Sequence, residues 1–171
     1  SALALRAAVR TAHKSGKYWR DLATVQVSGL DTSVAIQSID LSTYCPRLRQ
    51  VIYLKSGSTD KEYKVVDIDN LTDEDGMYRT DVYWGLGTSM NIRAKAAESS
   101  YEICYYRYPI VSPTSAFDSW IADEHRDLLT LWAASTVLAT VGESEIKARL
   151  DQLAAIAFAD LQQDNISFKG N

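Results

Sequence analysis

The run Tyr101-Glu102-Ile103-Cys104-Tyr105-Tyr106-Arg107-Tyr108-Pro109 and the run Trp120-Ile121-Ala122-Asp123-Glu124-His125-Arg126-Asp127-Leu128-Leu129 obey two different periods. In the first, Tyr101, Ile103 and Tyr105 fall on one face, and Glu102, Cys104, Tyr106 and Tyr108 fall on the other. That alternation is the mark of a strand. In the second, Phe117, Trp120, Ile121, Leu128, Trp132, Ser135 and Leu138 trace one broad face at helical spacing. Pro109 and Pro113 mark the border. A chain that changes period once, from two to 3.6, predicts an α+β fold with its strands grouped and its helices grouped.

Working outward from the border, the helical part divides at Gly142, which fits the C′ position of a first helix. Ser115 is the expected N-cap, with Asp118 three residues on as a loose capping box. A second helix is expected from Glu143 or Ser144 to about Asp164, with Ile146, Leu150, Leu153, Ala154, Ala157 and Leu161 inward. Glu143 and Lys147 are the expected i, i+4 pair. So short a turn between long amphipathic helices forces an antiparallel hairpin.

Upstream of the border, period two persists back to Leu22. Thr24–Val27, a bent or double strand through Val34, Ile36, Ile39 and Leu41, Leu48–Lys55, Tyr63–Val66, Tyr78–Trp84 and Met90–Ala94 all read as strands. Leu48–Lys55 is the most continuously apolar and is expected to be central. Short strands with turns at this spacing predict an antiparallel sandwich or barrel-like domain. Before them, Ala2 to about Lys14 is rich in Ala, Leu and Arg and predicts a helix stopped at Ser15-Gly16. Leu5, Val9 and Ala12 form its apolar stripe, and Arg6, Arg10 and Lys14 a basic one. The predicted organisation is an N-terminal helix (1–20) packing with the hairpin, an antiparallel β domain (21–112) inserted next, a helical hairpin (113–166) and a C-terminal tail (167–171).

Composition limits the function. The 171 residues carry 46% apolar and 23% charged side chains, ordinary globular usage. A net charge of −4 argues against a dedicated nucleic-acid binder, and no apolar run is long enough to span a membrane. Ser1 reads as a chain start after Met removal, without a signal layout. Charge is shared unevenly: residues 1–114 carry net +1 and residues 115–171 net −5.

No catalytic constellation stands out. Cys45 and Cys104 read as buried thiols. Gly85-Leu86-Gly87 lacks the further glycine and helix of a phosphate cradle. The acidic loop 67–75 lacks the regular spacing of a calcium loop. Asp123, His125 and Asp127 form the densest polar cluster, and a solvated helix face accounts for it. The strongest signal is aromatic: ten tyrosines and four tryptophans, beyond what a core needs, suggest subunit interfaces or a sugar-binding platform.

Several stretches carry a family resemblance. Trp120-Ile121-Ala122-Asp123-Glu124-His125, Leu128-Leu129, Ala133-Ala134-Ser135, Gly142-Glu143, and Leu161 with Asn165 resemble the C-terminal hairpin of tailed-phage head-to-tail adaptor proteins. Tyr18-Trp19-Arg20-Asp21, and Pro46-Arg47-Leu48-Arg49 followed by Val51-Ile52-Tyr53, resemble the short-tailed-phage adaptors that carry a β-insertion. The resemblance implies a structural, non-enzymatic virion protein without cofactor or metal. It implies a ring of twelve under the portal protein ring, joining capsid to tail or nozzle proteins in the phage neck after assembly in the host cytoplasm. DNA would pass through its lumen without sequence-specific binding. It makes Arg6, Arg10, Lys14, Trp120, Trp132, Phe168 and Lys169 the candidate portal or subunit contacts. The competing expectations are a carbohydrate-binding β-sandwich, another virion tail protein, and a metal-assisted hydrolase built on Asp123, His125 and Asp127.

Overall fold

A computed structural model describes residues 2–111 and 117–167. The fold is α+β, and the chain divides into two compact units, residues 22–107 and residues 1–21 with 108–171.

The first unit is a seven-stranded sheet. Its strands are β1 (Leu22–Ser28), β2 (Gln37–Asp40), β3 (Leu48–Ser56), β4 (Glu62–Val65), β5 (Val82–Leu86), β6 (Ser89–Arg93) and β7 (Ser100–Arg107), with a one-turn helix α2 (Leu41–Tyr44) after β2. They lie in the order β1-β7-β3-β4-β5-β6-β2 and form an open, curled sheet. Leu48–Ser56 is an interior strand, as its apolar run predicts. The sheet is mixed where an all-antiparallel one was expected, because β4 and β5 run parallel. A parallel pair needs a crossover of a dozen or more residues, and segment 66–81 with its acidic loop supplies one. That segment also takes residues expected in a strand: Tyr78 makes only an isolated bridge to Thr72, and β5 starts at Val82. Val34 and Ile36, expected in a strand too, are exposed in the bends before β2. Gly85-Leu86-Gly87 is the β5–β6 turn: Leu86 pairs with Ser89 across a two-residue loop, and Gly87 takes the positive φ (62°) such loops require.

One core serves this unit. On β7 the face carrying Tyr101, Ile103 and Tyr105 is buried, and it packs with Val27, Ile39, Leu54, Tyr63, Met90 and Ile92. Cys45 joins them as a free thiol, its pKa pushed up to about 11 by burial.

The second unit is helical. It holds α1 (Ala2–Lys14), a two-stranded ribbon of β8 (Ile110–Val111) with β9 (Phe117–Asp118), then α3 (Trp120–Glu124), α4 (Arg126–Val141) and α5 (Ser144–Ser167). The expected first hairpin helix is broken and begins late. Phe117 and Asp118 belong to β9, the N-cap is Ser119 in place of Ser115, and the chain leaves helical geometry at His125 (φ −119°, ψ 45°). Ser115 itself lies outside the described residues. The turn at Gly142 is as its sequence predicts: the residue is left-handed (φ 83°), and its N–H closes on the Leu138 carbonyl.

Helix α4 packs between α1 and α5. Ala8, Val9, Ala12, Tyr18, Ile121, Leu128, Leu129, Ala154 and Leu161 form the core. The inner face of α5 differs from expectation: Ala154 and Leu161 are buried, but Ile146 and Leu153 are about half exposed, with Ile156 beside them. The many alanines of α5 let it approach α4 along the Ala154–Leu161 side, which turns the large aliphatics onto the flank. Lys147 pairs with Asp151 in place of Glu143.

Asp151 also accepts a hydrogen bond from the buried Ser135 hydroxyl across the α4–α5 seam. The Lys147 ammonium, and then the Ser135 hydroxyl, hold the Asp151 carboxyl below its ordinary 3.8. Its folded value lies under the unfolded one, so its contribution is complete above 3.8 and is lost as pH falls through the folded value. Asp151→Asn is therefore expected to melt below wild type at neutral pH. The gap should close in acid, as thermal melts at a series of pH values would record.

Candidate functional site

The helical unit builds a polar cluster from residues far apart in the sequence. His13, in the last turn of α1, is 1% exposed although it is a polar residue. Its Nδ1 lies 2.9 and 2.8 Å from the two carboxylate oxygens of Asp21. Its Nε2 lies 2.8 Å from the Ser119 hydroxyl. The Trp120 indole N–H donates to Asp21 Oδ1 at 2.9 Å. The Ser119 hydroxyl oxygen also accepts the Ala122 N–H at 3.2 Å and so caps α3. Every group is satisfied by one assignment. Nδ1–H donates to Asp21, the Ser119 O–H donates to Nε2, and the serine oxygen accepts the backbone N–H.

Aromatic rings wall the cluster. Trp120 meets the rings of Tyr18 (5.3 Å between centroids), His13 (6.0 Å) and His125 (6.0 Å) edge to face. The Arg20 guanidinium lies 5.1 Å above the Trp120 ring and pairs with Glu124 at 2.5 Å. Asp21 is held for this purpose by a single 3-10 turn over Trp19–Asp21, whose N–H returns to the Tyr18 carbonyl. At the other end of the same packing, the Asn165 side chain reaches the Trp19 N–H and the Lys17 carbonyl.

The connectivity serine to histidine to aspartate is that of an acyl-transfer triad. Its setting is not. A nucleophile must meet a carbonyl carbon, and Ser119 is 3% exposed with its oxygen already committed to a helix cap. The cluster works as a three-way polar staple joining α1, the 3-10 turn and the start of α3. A fluorophosphonate serine probe is accordingly expected to leave Ser119 unlabelled in the folded chain, read by intact-protein mass spectrometry. Labelling there would make it a nucleophile.

The residues singled out from sequence are dispersed. Trp120 is the hub of the staple, half-buried. Trp132 is half-buried and stacks at a tilt on Phe158, 5.6 Å between centroids. Arg10 and Lys14 are exposed along α1, Lys14 lying 5.8 Å over the Tyr108 ring. Arg6 is half-buried, and its Nε has no hydrogen-bond partner among the described residues. Phe168 and Lys169 lie outside the described residues. His125 lines a shallow hollow with Asp127, and its Nε2 is 3.2 Å from Asp164 Oδ2, close enough for an ion pair but off the line of a hydrogen bond. The exposed Tyr78 has the Arg93 guanidinium 4.2 Å from its ring centroid.

His13, Asp21 and Ser119 escaped the sequence reading because His13 and Ser119 stand 106 positions apart. One signal was present. His13 follows Val9 by four residues and so sits on the apolar stripe of α1, where a histidine must find partners.

The apolar surface is the second feature of this unit. Val141, Ile146, Leu153 and Ile156 are 65%, 51%, 52% and 64% exposed. A groove of about 590 Å³ runs between α1 and α4, lined by Ala2, Leu5, Thr130, Ala133, Ala134, Val137 and Leu138. It continues past Leu5 and Thr130 into a second hollow of about 640 Å³ containing Asp123 and Arg126.

No protein-family model matches the chain, and no curated protein matches it in sequence.

Proposed function

We propose that this chain is a structural head-to-tail adaptor of a tailed phage, a ring-forming subunit seated under the portal. The observation that carries the reading is the exposed aliphatic surface of the helical hairpin at Val141, Ile146, Leu153 and Ile156. A monomer gains nothing from large aliphatic side chains in water along its helical hairpin, whereas an assembly subunit covers them. The sealed Ser119–His13–Asp21 staple supports the same reading, because its chemistry goes into fixing helices. The likeness of the hairpin to adaptor hairpins is the second support, and it names the partner class as a portal ring.

In this reading the curled sheet is the barrel-like β-insertion placed in sequence between the N-terminal helix and the hairpin. The surplus of acid in residues 115–171 suits a conduit, because phosphate is repelled by an acidic wall and held by a basic one through counterion release. Arg6, Arg10 and Lys14 then serve protein contacts.

The test is mass photometry of the chain mixed with its portal ring. The expected result is a portal species heavier by an integral number of 19.0 kDa chains. A chain that stays single beside intact portal rings would end the reading.

A further inference from the structure

We infer that β1 is a self-pairing edge: two copies of this chain join β1 to β1, antiparallel, and make one continuous sheet. This contact is independent of the adaptor reading and belongs to the sheet unit. β1 ends the strand order, and its far side has no strand among the described residues. The Gly57 N–H donates to the Ser100 carbonyl, so Ser100 turns its backbone groups toward β3. Tyr101, Ile103 and Tyr105 then turn theirs toward β1, where they meet Val27, Val25 and Ala23. The N–H and C=O groups of Thr24 and Gln26 are left pointing away from the sheet, and both residues are exposed.

Sheet edges are ordinarily blunted by charge, proline, a bulge or brevity. β2, at the opposite end of the order, is blunted: it has four residues, ends in Asp40 and passes straight into α2. β1 carries none of these devices. It is seven residues long, Leu22-Ala23-Thr24-Val25-Gln26-Val27-Ser28, without charge or proline, and it pairs with β7 in unbroken register. The core also runs out to this edge: Val27 is buried, but Ala23 and Val25 are only half-buried against it.

The pattern of β1 names its occupant. An antiparallel strand exchanges hydrogen bonds with this edge only when its own outward residues stand opposite Thr24 and Gln26. A second β1 does so with Val25 on the two-fold axis. Thr24 of each copy then faces Gln26 of the other, and both residues have free backbone groups to exchange. On the core face Ala23 meets Val27, and Val25 meets its own copy, so apolar stands against apolar and polar against polar. No like charges oppose one another, because β1 has no charge. The half-buried Ala23 and Val25 gain a neighbouring strand on the side that one chain leaves open. A single surface used by both partners is the isologous contact of a two-fold pair.

The experiment is native mass spectrometry of the full chain alone, joined to amide hydrogen exchange at two protein concentrations. Wild type is expected to form a pair, and the Thr24 and Gln26 amides to exchange more slowly as the chain is concentrated. Gln26→Pro removes an outward N–H and leaves the β1–β7 ladder intact, so it is expected to weaken the pair at least about tenfold. Thr24→Lys with Gln26→Lys sets like charges opposite each other across the axis and is expected to do the same. A thermal melt checks folding, and the lysine variant carries the test if the proline variant melts early. A wild type that stays single at about 100 μM, where a micromolar contact is largely formed, would overturn the pairing. So would a pair that survives both variants, or one that leaves the Thr24 and Gln26 amides exchanging at an unchanged rate. Each of these results leaves the adaptor reading standing, because that reading is tested by binding to the portal ring.

Discussion

His13→Ala is expected to destabilise the helical unit by about 3–5 kcal/mol, the cost of leaving a buried carboxylate without its partner. Asp21 is 4% exposed and loses the imidazole from both carboxylate oxygens, while the Trp120 N–H stays on Oδ1. Ser119 loses the acceptor for its proton at the same time. For a chain of this size the loss corresponds to roughly 6–20 °C in Tm. The individual links should rank below it. Ser119→Ala removes a helix cap and one hydrogen bond, about 1–2 kcal/mol. Double substitution of His13 and Asp21 by alanine should cost less than the two single changes added together, because both remove the same contact. Differential scanning calorimetry measures all of these. A His13→Ala loss below about 1 kcal/mol would mean the carboxylate finds water or another donor, and the staple would not be what fixes α1.

The same cluster marks where sequence reading stops. Periodicity is a local signal, and it located α1, the β3 and β7 strands, the Gly142 turn and the hairpin from residues a few positions apart. It does not carry pairings between distant segments. Ser119 caps α3 while bonding a histidine on α1, so its choice over Ser115 as the cap is decided by tertiary contact and not by the local capping pattern. In the sheet, the run Tyr78–Trp84 alternates well enough for a strand. The parallel pairing of β4 with β5 instead needs its first half as crossover chain. On α5 the failure has a different cause. Ala154, Ala155, Ala157 and Ala159 make several faces nearly equivalent in hydropathy, so the inward direction is set by close approach to α4 and not by a strong apolar stripe. The residues misassigned there, Ile146 and Leu153, are the ones left about half exposed.

Tyr101 in the sheet unit offers the second large effect and separates ring from hydroxyl. Its side chain is fully buried, its ring meets Tyr63 edge to face at 5.4 Å, and its hydroxyl donates to the Gln37 Oε1 at 2.5 Å. Gln37 is itself 3% exposed, and its amide nitrogen is already committed to the Asp31 and Glu98 carbonyls. The glutamine oxygen therefore has no second choice if the phenol leaves. Tyr101→Phe keeps the ring and strands that oxygen, which should cost about 1–3 kcal/mol. Tyr101→Ala strands it and empties the ring's volume, which should cost about 3–5 kcal/mol or more. The difference between the two variants isolates packing from the hydrogen bond. Gln37→Leu in the Tyr101→Phe background removes the orphaned oxygen but also takes the donor from the Asp31 and Glu98 carbonyls, so it is expected to lower stability further and not to restore it. If Tyr101→Phe melted with wild type, the phenol–amide bond would be contributing nothing, and the register that brings β7 and β2 into one core would rest on apolar packing alone.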